Sequence, residues 1–330
     1  MKDFFIQDAP KFENKSVDSY FVLSSIQTRE RKQGGAYLAA VLTDKTGSFD
    51  ARMWEEFSDA LATCTAGSYV KVRGLVSNYQ GKFQITLQKM RNAAESEVEP
   101  GDFLAVTTKD IEAMWKELRG YVAGFQNADL KRLVLAFLDD EEIAAAYKKA
   151  PAAKLLHHAW IGGLLEHVVG LLAVTKVVGP CYPEADIDLI MTACILHDIG
   201  KTRELAWKTS FRYTLEGQLV GHISIAMGML REKIQTLPGF PDKVRILVEH
   251  LILSHHGEYE FGSPKLPMLP EAMIFHAIDD LEAKMQAVRT EFELQIKNGA
   301  DADQMTERMW ALDNRQVLNT KRYLEDKESK

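Results

Sequence analysis

Residues 187–201 read IDLIMTACILHDIGK, and this stretch sets the character of most of the chain. Its first ten residues form a nearly unbroken apolar run of the length expected for a buried helix. We predict a helix at 187–196 that delivers His197 and Asp198 together at its end, where both can turn toward one ion. Gly200 is a natural C-cap for this helix. The stretch therefore predicts a metal site within a helical domain.

Other residues that bind metals recur along the chain. His167 lies in a helical run predicted at 153–178, where the small residues Gly162 and Gly163 would let another helix or a ligand approach closely. Asp279 lies in a helix predicted at 271–296. Two imidazoles and two carboxylates suit Mn, Fe, Zn or Co better than Ca. The ligands predicted for the first ion are His167, His197, Asp198 and Asp279.

A second pair of histidines extends this set. His222 opens a helix predicted at 221–234, and His255 ends one predicted at 242–254. If Asp198 bridges two ions, these histidines complete a second site, and two ions can clamp both the attacking and the leaving oxygen of a phosphodiester. His157 and His158 are weaker candidates to line the same pocket.

Two further residues near the ligands are catalytic candidates in addition to Asp198. Lys201 directly follows the His-Asp-Ile-Gly segment, so its ammonium group can bind a substrate phosphate or protonate the leaving group. His256 follows His255 and is a second candidate for the general acid. The residues alone do not choose between them, and water can also supply the proton.

Length, charge and cysteine content bound the class of protein. The 330 residues suggest two or three domains, and 46% hydrophobic residues are ordinary for a globular protein. Residues 1–92 carry 13 Lys/Arg and 10 Asp/Glu, a net +3, whereas the rest carries 27 and 37, a net −10. Three scattered cysteines predict no disulfide framework, and we see no signal peptide or apolar run of membrane-spanning length. We expect a cytoplasmic protein without a membrane partner.

The N-terminal part has a different pattern from the helical remainder. Strands are predicted at 20–26, 36–42, 48–54, 68–76 and 82–90, with a short helix at 55–63, and this order is typical of an OB-fold barrel. The fold class is therefore multidomain α+β, a five-stranded OB-fold β-barrel followed by an all-α helical bundle. We predict a barrel at 1–92, a linker at 93–101, the metal domain at 102–312 and a polar tail at 313–330.

Cations and rings alternate with apolar residues along the predicted strands. In the fourth strand, for example, Val70 and Val72 point inward and their neighbours outward. Outward cations can follow phosphates while rings stack on bases, which predicts binding of a single-stranded nucleic acid, although a plain solvated face has the same pattern. The candidate nucleic-acid-binding residues are Arg52, Trp54, Tyr69, Lys71, Arg73 and Lys82.

These motifs resemble the YhaM-type 3′-5′ exoribonucleases, bacterial proteins with an N-terminal OB-fold and a C-terminal HD domain. The resemblance spans nearly the whole chain. It rests on GGLLEH at 162–167, LHDIGK at 196–201, GHI at 221–223, SHHG at 254–257 and HAID at 276–279, and more loosely on DKTG at 44–47 and Trp54. Asp280 beside Asp279, and His256 beside His255, each leave a one-residue ambiguity.

The resemblance implies a fold, a reaction and a ligand set. The helical bundle would be an HD domain, with His167, His197, Asp198 and Asp279 as its metal ligands and His222 and His255 as the additional ligands of two-metal members. The implied activity is hydrolysis of single-stranded RNA from its 3′ end by a metal-activated water, which releases nucleoside monophosphates. Mn²⁺ would be the favoured of two divalent ions, with Fe, Co and Zn left open.

Two other functions remain open from the residues alone. The same ligands serve an HD phosphodiesterase or phosphohydrolase that acts on a cyclic dinucleotide or a nucleotide, with the barrel as a regulatory module. A non-catalytic nucleic-acid-binding accessory factor with a structural metal is the other alternative, and the complete ligand set counts against it. Single-stranded DNA as a further substrate and a homo-oligomeric state are also left open.

Overall fold

The structure is a computed structural model that describes residues 2–31, 34–153, 158–207 and 209–325. The chain forms two compact units, one of Met1–Val106 with Ala206–Arg212 and one of Thr107–Leu205 with Tyr213–Lys330. The first unit contains a closed β-barrel and the second is mainly helical. The predicted fold class is therefore confirmed, whereas nothing in the sequence indicated that segment 206–212 groups with the barrel.

Five strands form the barrel, and a short helix follows the third: β1 Ser16–Glu30, β2 Ala36–Asp44, β3 Gly47–Met53, α1 Ser58–Thr63, β4 Tyr69–Tyr79 and β5 Lys82–Asn92. The strands close in the order β1-β2-β3-β5-β4. The strand β1 is long enough to pair with two partners, because residues 16–22 face β4 and residues 22–30 face β2. The pairing of β3 with β5 is parallel and the other pairings are antiparallel, as in an OB-fold.

Alternation along the strands fills the interior of the barrel with apolar side chains. Phe49, Ala51 and Met53 of β3 are all buried, as predicted, and burial of each larger side chain stabilises the fold by roughly 1.5–3 kcal/mol. The ladder between β4 and β5 shifts register at Gly74, where a Cβ would lie 2.6 Å from the carbonyl oxygen of Thr86. Only glycine allows the two strands to approach this closely.

The second unit is built from helices. They are α2 Ile111–Ala123, α3 Ala128–Leu138, α4 Glu141–Lys149, α5 Gly163–Val178, α6 Ile187–Leu196, α7 Lys201–Glu204, α8 Leu215–Val220, α9 His222–Gln235, α10 Asp242–Ser254, α11 Pro270–Lys297 and α12 Thr320–Glu325. Several of them begin with a capping side chain that accepts a backbone N–H group of the first turn. The capping residues of α2, α3, α4, α6 and α8 are Asp110, Asn127, Asp140, Asp186 and Thr214. The short strands β6 Leu205–Ala206 and β7 Arg212–Tyr213 pair with each other.

Helix α6 lies at the centre of this unit. All its residues from Leu189 to Leu196 are buried, and α3, α5, α10 and α11 pack against it, as an all-round apolar helix requires. Its neighbour α5 is also largely buried. By length and composition alone the stretch Gly163–Cys181 could cross a membrane, although more than half of it is buried within the unit. The prediction that no helical run reaches that length is therefore wrong.

Candidate active site

His197 and Asp198 lie where α6 ends, as predicted, and both are buried. Gly200 does not cap the helix in a left-handed conformation, because its φ is −61° and α7 begins at the next residue. A Cβ on Gly200 would lie 2.0 Å from the carbonyl oxygen of His222. The predicted C-cap role is therefore wrong. Glycine is needed here because the start of α9 packs directly against this turn.

His167 is buried in the second turn of α5. The helix begins at Gly163 rather than at residue 153, after Gly162 turns the chain with a φ of 82°. A Cβ on Gly163 would lie 2.0 Å from the carbonyl oxygen of His158. The glycine pair thus allows a close approach, as predicted. What approaches Gly163 is the segment of this chain that precedes the helix.

Asp279 reaches the same centre from α11. Its Oδ1 lies 3.1 Å from Nε2 of His167 and 3.9 Å from Nε2 of His197. The neighbouring Asp280 is exposed and pairs with Lys284 at 2.7 Å on the helix surface. The structure therefore brings Asp279, and not Asp280, to the centre, and its role as a metal ligand stays a prediction.

Glu282 also belongs to the centre and was not predicted. Its buried carboxylate lies 2.6 Å from Nδ1 of His167 and 2.9 Å from Nε2 of His158. A carboxylate at Nδ1 fixes the tautomer and the orientation of an imidazole, so that Nε2 can bind a metal. The sequence signal was the spacing from Asp279, since residues three apart share one helix face. Of the two pocket candidates, His158 joins this network and His157 lies outside the described residues.

His222 and His255 approach from α9 and from the end of α10. Their Nε2 atoms lie 3.5 and 3.9 Å from Oδ1 of Asp198. Nδ1 of His222 pairs with Glu204 at 3.2 Å, and Nδ1 of His255 donates to the carbonyl oxygen of Ile252 at 2.7 Å. Because each ring is held through Nδ1, its Nε2 stays directed at Asp198. Glu204, which also accepts the backbone N–H of His222, was not predicted either.

Four buried atoms at this centre make no hydrogen bond to any described residue: Nε2 of His197, His222 and His255, and Oδ1 of Asp198. Buried polar atoms are almost always paired, because leaving one unpaired costs about 1–3 kcal/mol. Imidazole nitrogens and carboxylate oxygens are also the preferred ligands of divalent transition metals. The residues present therefore fit a metal. Asp198 is suited to bridge two ions, because its other oxygen, Oδ2, lies 3.2 Å from His197.

The two catalytic candidates lie beside these ligands. Nζ of Lys201 is 2.6 Å from Oδ2 of Asp198. The imidazole of His256 has a nitrogen within 4.8 Å of the ligand atoms of His222 and His255. Both side chains are therefore near a phosphate held at the centre, and their individual roles stay predictions.

The charges of the centre depend on one another. Burial would raise the pKa of Asp198, but neighbouring cationic groups hold it well below its usual range. Burial would lower the pKa of His167, yet hydrogen bonds with two carboxylates of α11 raise it to about 10. Burial and positive neighbours hold the pKa of His255 far below its usual value. Asp198 and His255 are therefore already in the forms that bind metals, whereas His167 must release a proton.

The structure spreads the predicted nucleic-acid residues over different parts of the barrel. Trp54, just after β3, is 37% exposed and contacts Tyr37 with 4.8 Å between ring centroids. The guanidinium of Arg31 lies 5.2 Å from the Trp54 ring centroid. Arg52 is half-buried on β3 and Lys82 is exposed at the start of β5. Tyr37 and Arg31 are thus additional members of this cluster that the sequence did not reveal.

Lys71 and Arg73 form a second cluster, on β4. Both pair with Asp18 of β1, at 3.3 and 3.0 Å. These three side chains line a groove of about 450 Å³ together with Lys89 and Arg91 of β5, which were not predicted. Four cations of β4 and β5 line the groove, but three acids, Asp18, Glu56 and Asp59, also line it and offset most of that charge.

Tyr69 is the predicted contact that the structure contradicts. Its side chain does point away from the barrel interior, as alternation requires, but it is only 5% exposed. The ring of Phe103 covers it, with 4.9 Å between centroids. Tyr69 is therefore not available to stack on a base, because a residue distant in sequence occupies that position.

Comparison with known families agrees with this geometry. The HD domain family model matches residues 164–284, and the model described as an OB-fold nucleic acid binding domain matches residues 22–93. The first range contains every predicted metal ligand. Fold and site together define a protein that joins an OB-fold to a metal-dependent HD phosphohydrolase domain.

Individual relatives make the assignment narrower. The chain is 36% identical to 3′-5′ exoribonuclease YhaM of Geobacillus sp. (strain WCH70) over 91% of each protein. Proteins of the same name from Bacillus velezensis and Bacillus subtilis are 37% and 36% identical, over 91% of this chain and 94% of theirs. Among solved structures, the chain is similar to the second OB-fold domain of replication protein A from Methanococcus maripaludis. The two are 21% identical over 24% of this chain and 85% of that one. The TM-score is 0.21, which is too low to carry a conclusion. The chain belongs to the YhaM family.

Proposed function

We propose that this protein is a metal-dependent 3′-5′ exoribonuclease that hydrolyses single-stranded RNA. The observation that carries the proposal is the convergence of unpaired, buried ligand atoms on Asp198 at the end of α6. The shared family supports the polarity and the substrate, since the relatives are named 3′-5′ exoribonucleases. The OB-fold supports a single-stranded nucleic acid as the substrate class.

The metal ligands divide into two groups around Asp198. His167, His197, Asp198 and Asp279 would hold one ion, and Asp198 with His222 and His255 would hold the other. Bound divalent ions lower the pKa of water and offset the negative charge of the phosphodiester. We propose manganese as the resident metal, because the mixed nitrogen and oxygen ligands suit it and no thiolate that would favour a softer metal lies among the described residues of the candidate ligand groups.

The remaining polar residues of the centre act on ligands and substrate. Glu282 and Glu204 hold His167 and His222 in orientation through their Nδ1 atoms. Lys201 places positive charge beside Asp198, where it can bind a phosphate oxygen of the substrate. His256 lies at the edge of the second ligand group and can donate a proton to the leaving oxygen.

The barrel is proposed to capture the strand that the helical unit cleaves. Trp54 is exposed and can stack on a base, and the cations of β4 and β5 can neutralise phosphates. We further propose a cytoplasmic location, because Cys64, Cys181 and Cys194 are free thiols, as is usual in a reducing compartment.

The direct test is a gel time course with 5′-labelled single-stranded RNA and Mn²⁺. The wild-type protein should produce a ladder that shortens from the 3′ end, and the Asp198→Ala variant should produce none. Intact RNA with the wild-type protein would contradict the proposal and turn attention to cyclic dinucleotides as substrates. Release of the label as a mononucleotide from the start, without a ladder, would contradict the polarity alone.

A further inference from the structure

A short aromatic turn lies directly after the histidines at the end of α10. Residues Tyr259–Phe261 form a single 3₁₀ turn whose two rings are left largely in water, with Tyr259 62% and Phe261 68% exposed. Two large rings left exposed on one turn contribute little to the stability of the fold through burial. Their position next to the metal centre therefore requires another explanation.

The turn is tied to the centre by its backbone. Nδ1 of His256 lies 2.8 Å from the carbonyl oxygen of Phe261, so one imidazole separates the turn from the second ligand group. Gly257 makes the sharp bend before it, with a φ of 79°, and a Cβ there would lie 2.2 Å from the ring of His276. The backbone N–H of Ser263 then donates to the carbonyl oxygen of Glu258 at 3.2 Å and closes the loop. The rings thus project from a fixed base.

We propose that Tyr259 and Phe261 are a stacking platform that holds the terminal bases of the RNA beside the metal centre. This inference rests on the proposed function and adds a substrate-binding site to it. One imidazole, that of His256, joins the backbone of the turn to the second ligand group, so the bases that flank a phosphodiester held at the centre would lie near this turn. Stacking suits an exonuclease, because every base has an aromatic face and successive nucleotides of any sequence must be accepted.

The rings act on binding and not on the chemical step. Neither side chain belongs to the ligand set, so the metal centre stays complete without them. Their removal should therefore raise the RNA concentration needed for half-maximal cleavage and leave the maximal rate nearly unchanged. Base-aromatic stacking measured by alanine substitution predicts an increase of roughly 5- to 150-fold per ring.

The test is single-turnover cleavage of 5′-labelled RNA by the full-length protein with Mn²⁺. Tyr259→Ala and Phe261→Ala should raise the half-saturating RNA concentration, whereas Tyr259→Phe and Phe261→Tyr should keep it close to wild type. Tyr182→Ala is the matched control. Tyr182 is 43% exposed, and it lies beyond Val178, the last residue of α5, which is about 16 Å along the helix from His167.

A second RNA separates stacking from a structural role. When the last two nucleotides carry stable abasic sugars, the wild-type protein should bind as weakly as the alanine variants, which should show no further loss. Alanine variants that bind ordinary RNA as tightly as wild type would overturn the inference, as would an equal loss on both RNAs. A wild-type protein that binds Mn²⁺ but leaves both RNAs intact would overturn the proposed function itself.

Discussion

The barrel and the helical unit each bury an aspartate, and the two are bonded very differently. In the barrel, Asp44 accepts hydrogen bonds from the backbone N–H groups of Ile6 and Thr46 and from the Thr46 hydroxyl, and it pairs with Lys2. In the helical unit, Oδ2 of Asp198 pairs with Lys201, but Oδ1 makes no hydrogen bond within the described residues. Both carboxylates are buried, but of the two only that of Asp198 has an oxygen without a hydrogen-bond partner among the described residues.

This difference separates structural from functional charge. Asp44 fastens the turn between β2 and β3 to the N-terminal segment, and its oxygens are fully used for that purpose. The helical unit can also satisfy a buried acid completely, since Glu166 binds Thr107, Trp160 and Lys109. The unpaired oxygen of Asp198 is therefore specific to the centre at the end of α6. Buried polar groups are nearly always paired, so the incompletely bonded carboxylate of Asp198 supports the proposal that a metal binds at this centre.

The largest expected effect distinguishes two adjacent acids of α11. Asp279→Ala should lower the rate of RNA hydrolysis by roughly a thousandfold or more, because it removes a metal ligand, while RNA binding changes little. Asp280→Ala is the matched control and should stay within about twofold, because that exposed carboxylate only pairs with Lys284. Cleavage rates and filter-binding affinities of both variants provide the measurement. Equal losses in the two variants would contradict the ligand assignment.

The next effect tests the carboxylate behind His167. Glu282→Gln should weaken Mn²⁺ binding by about 10- to 100-fold, because the amide holds the imidazole of His167 less well and does not raise its basicity. Titration calorimetry with Mn²⁺ measures the change. Glu293→Gln, an exposed position on the same helix, is the control. An affinity in Glu282→Gln that equals that of the control would show that this carboxylate does not support the metal.

A further effect concerns the buried charge of the barrel. Burial lowers the pKa of Lys2 to about 8 although Asp44 opposes the shift. Between pH 8 and 10.5 the unfolded chain therefore binds more protons at this lysine, and the free energy of unfolding should rise with pH by about 3 kcal/mol. Denaturant unfolding of wild type and Lys2→Met isolates this contribution as their difference. A difference that stays constant over this pH range would mean that Lys2 titrates normally.

The smallest effect concerns the groove on β4 and β5. Asp18→Asn should tighten RNA binding about two- to fivefold at low salt, because Lys71 and Arg73 would no longer be neutralised by its carboxylate. The gain should shrink as salt is added. Asp8→Asn, which alters an acid in the N-terminal turn of the same unit, is the control. Weaker RNA binding by Asp18→Asn would exclude the groove as a phosphate-binding surface.

The convergence of the predicted ligands on one centre could be predicted from the sequence, and their binding of metal stays a prediction. His197 and Asp198 end an apolar helix, and histidines recur at the start or end of others, so the sequence pattern alone indicated a shared centre. Glu282 and Glu204 were not predictable in the same way. Glutamate is common on exposed helix faces, and only the folded packing shows that these two are buried against imidazoles.

In the barrel, the sequence predicted the side chains of the interior but not the contacts on the outer surface. Alternation along the strands predicted which side chains fill the interior, since that depends on each strand alone. It could not predict that Phe103 covers Tyr69, or that Asp18 on β1 pairs with cations on β4, because both contacts depend on residues far apart in the chain. The prediction that Gly200 is a C-cap was wrong for a related reason. Gly200 packs against the start of α9, a contact that also depends on residues far apart in the chain.

The most direct test of the account is anomalous diffraction from crystals of the protein grown with Mn²⁺. We predict two manganese peaks that share Asp198, one bound by His167, His197 and Asp279 and the other by His222 and His255. A single peak at the first group would contradict the bridging role of Asp198. Crystals in which the unpaired atoms bind only water would contradict the central claim that they are metal ligands.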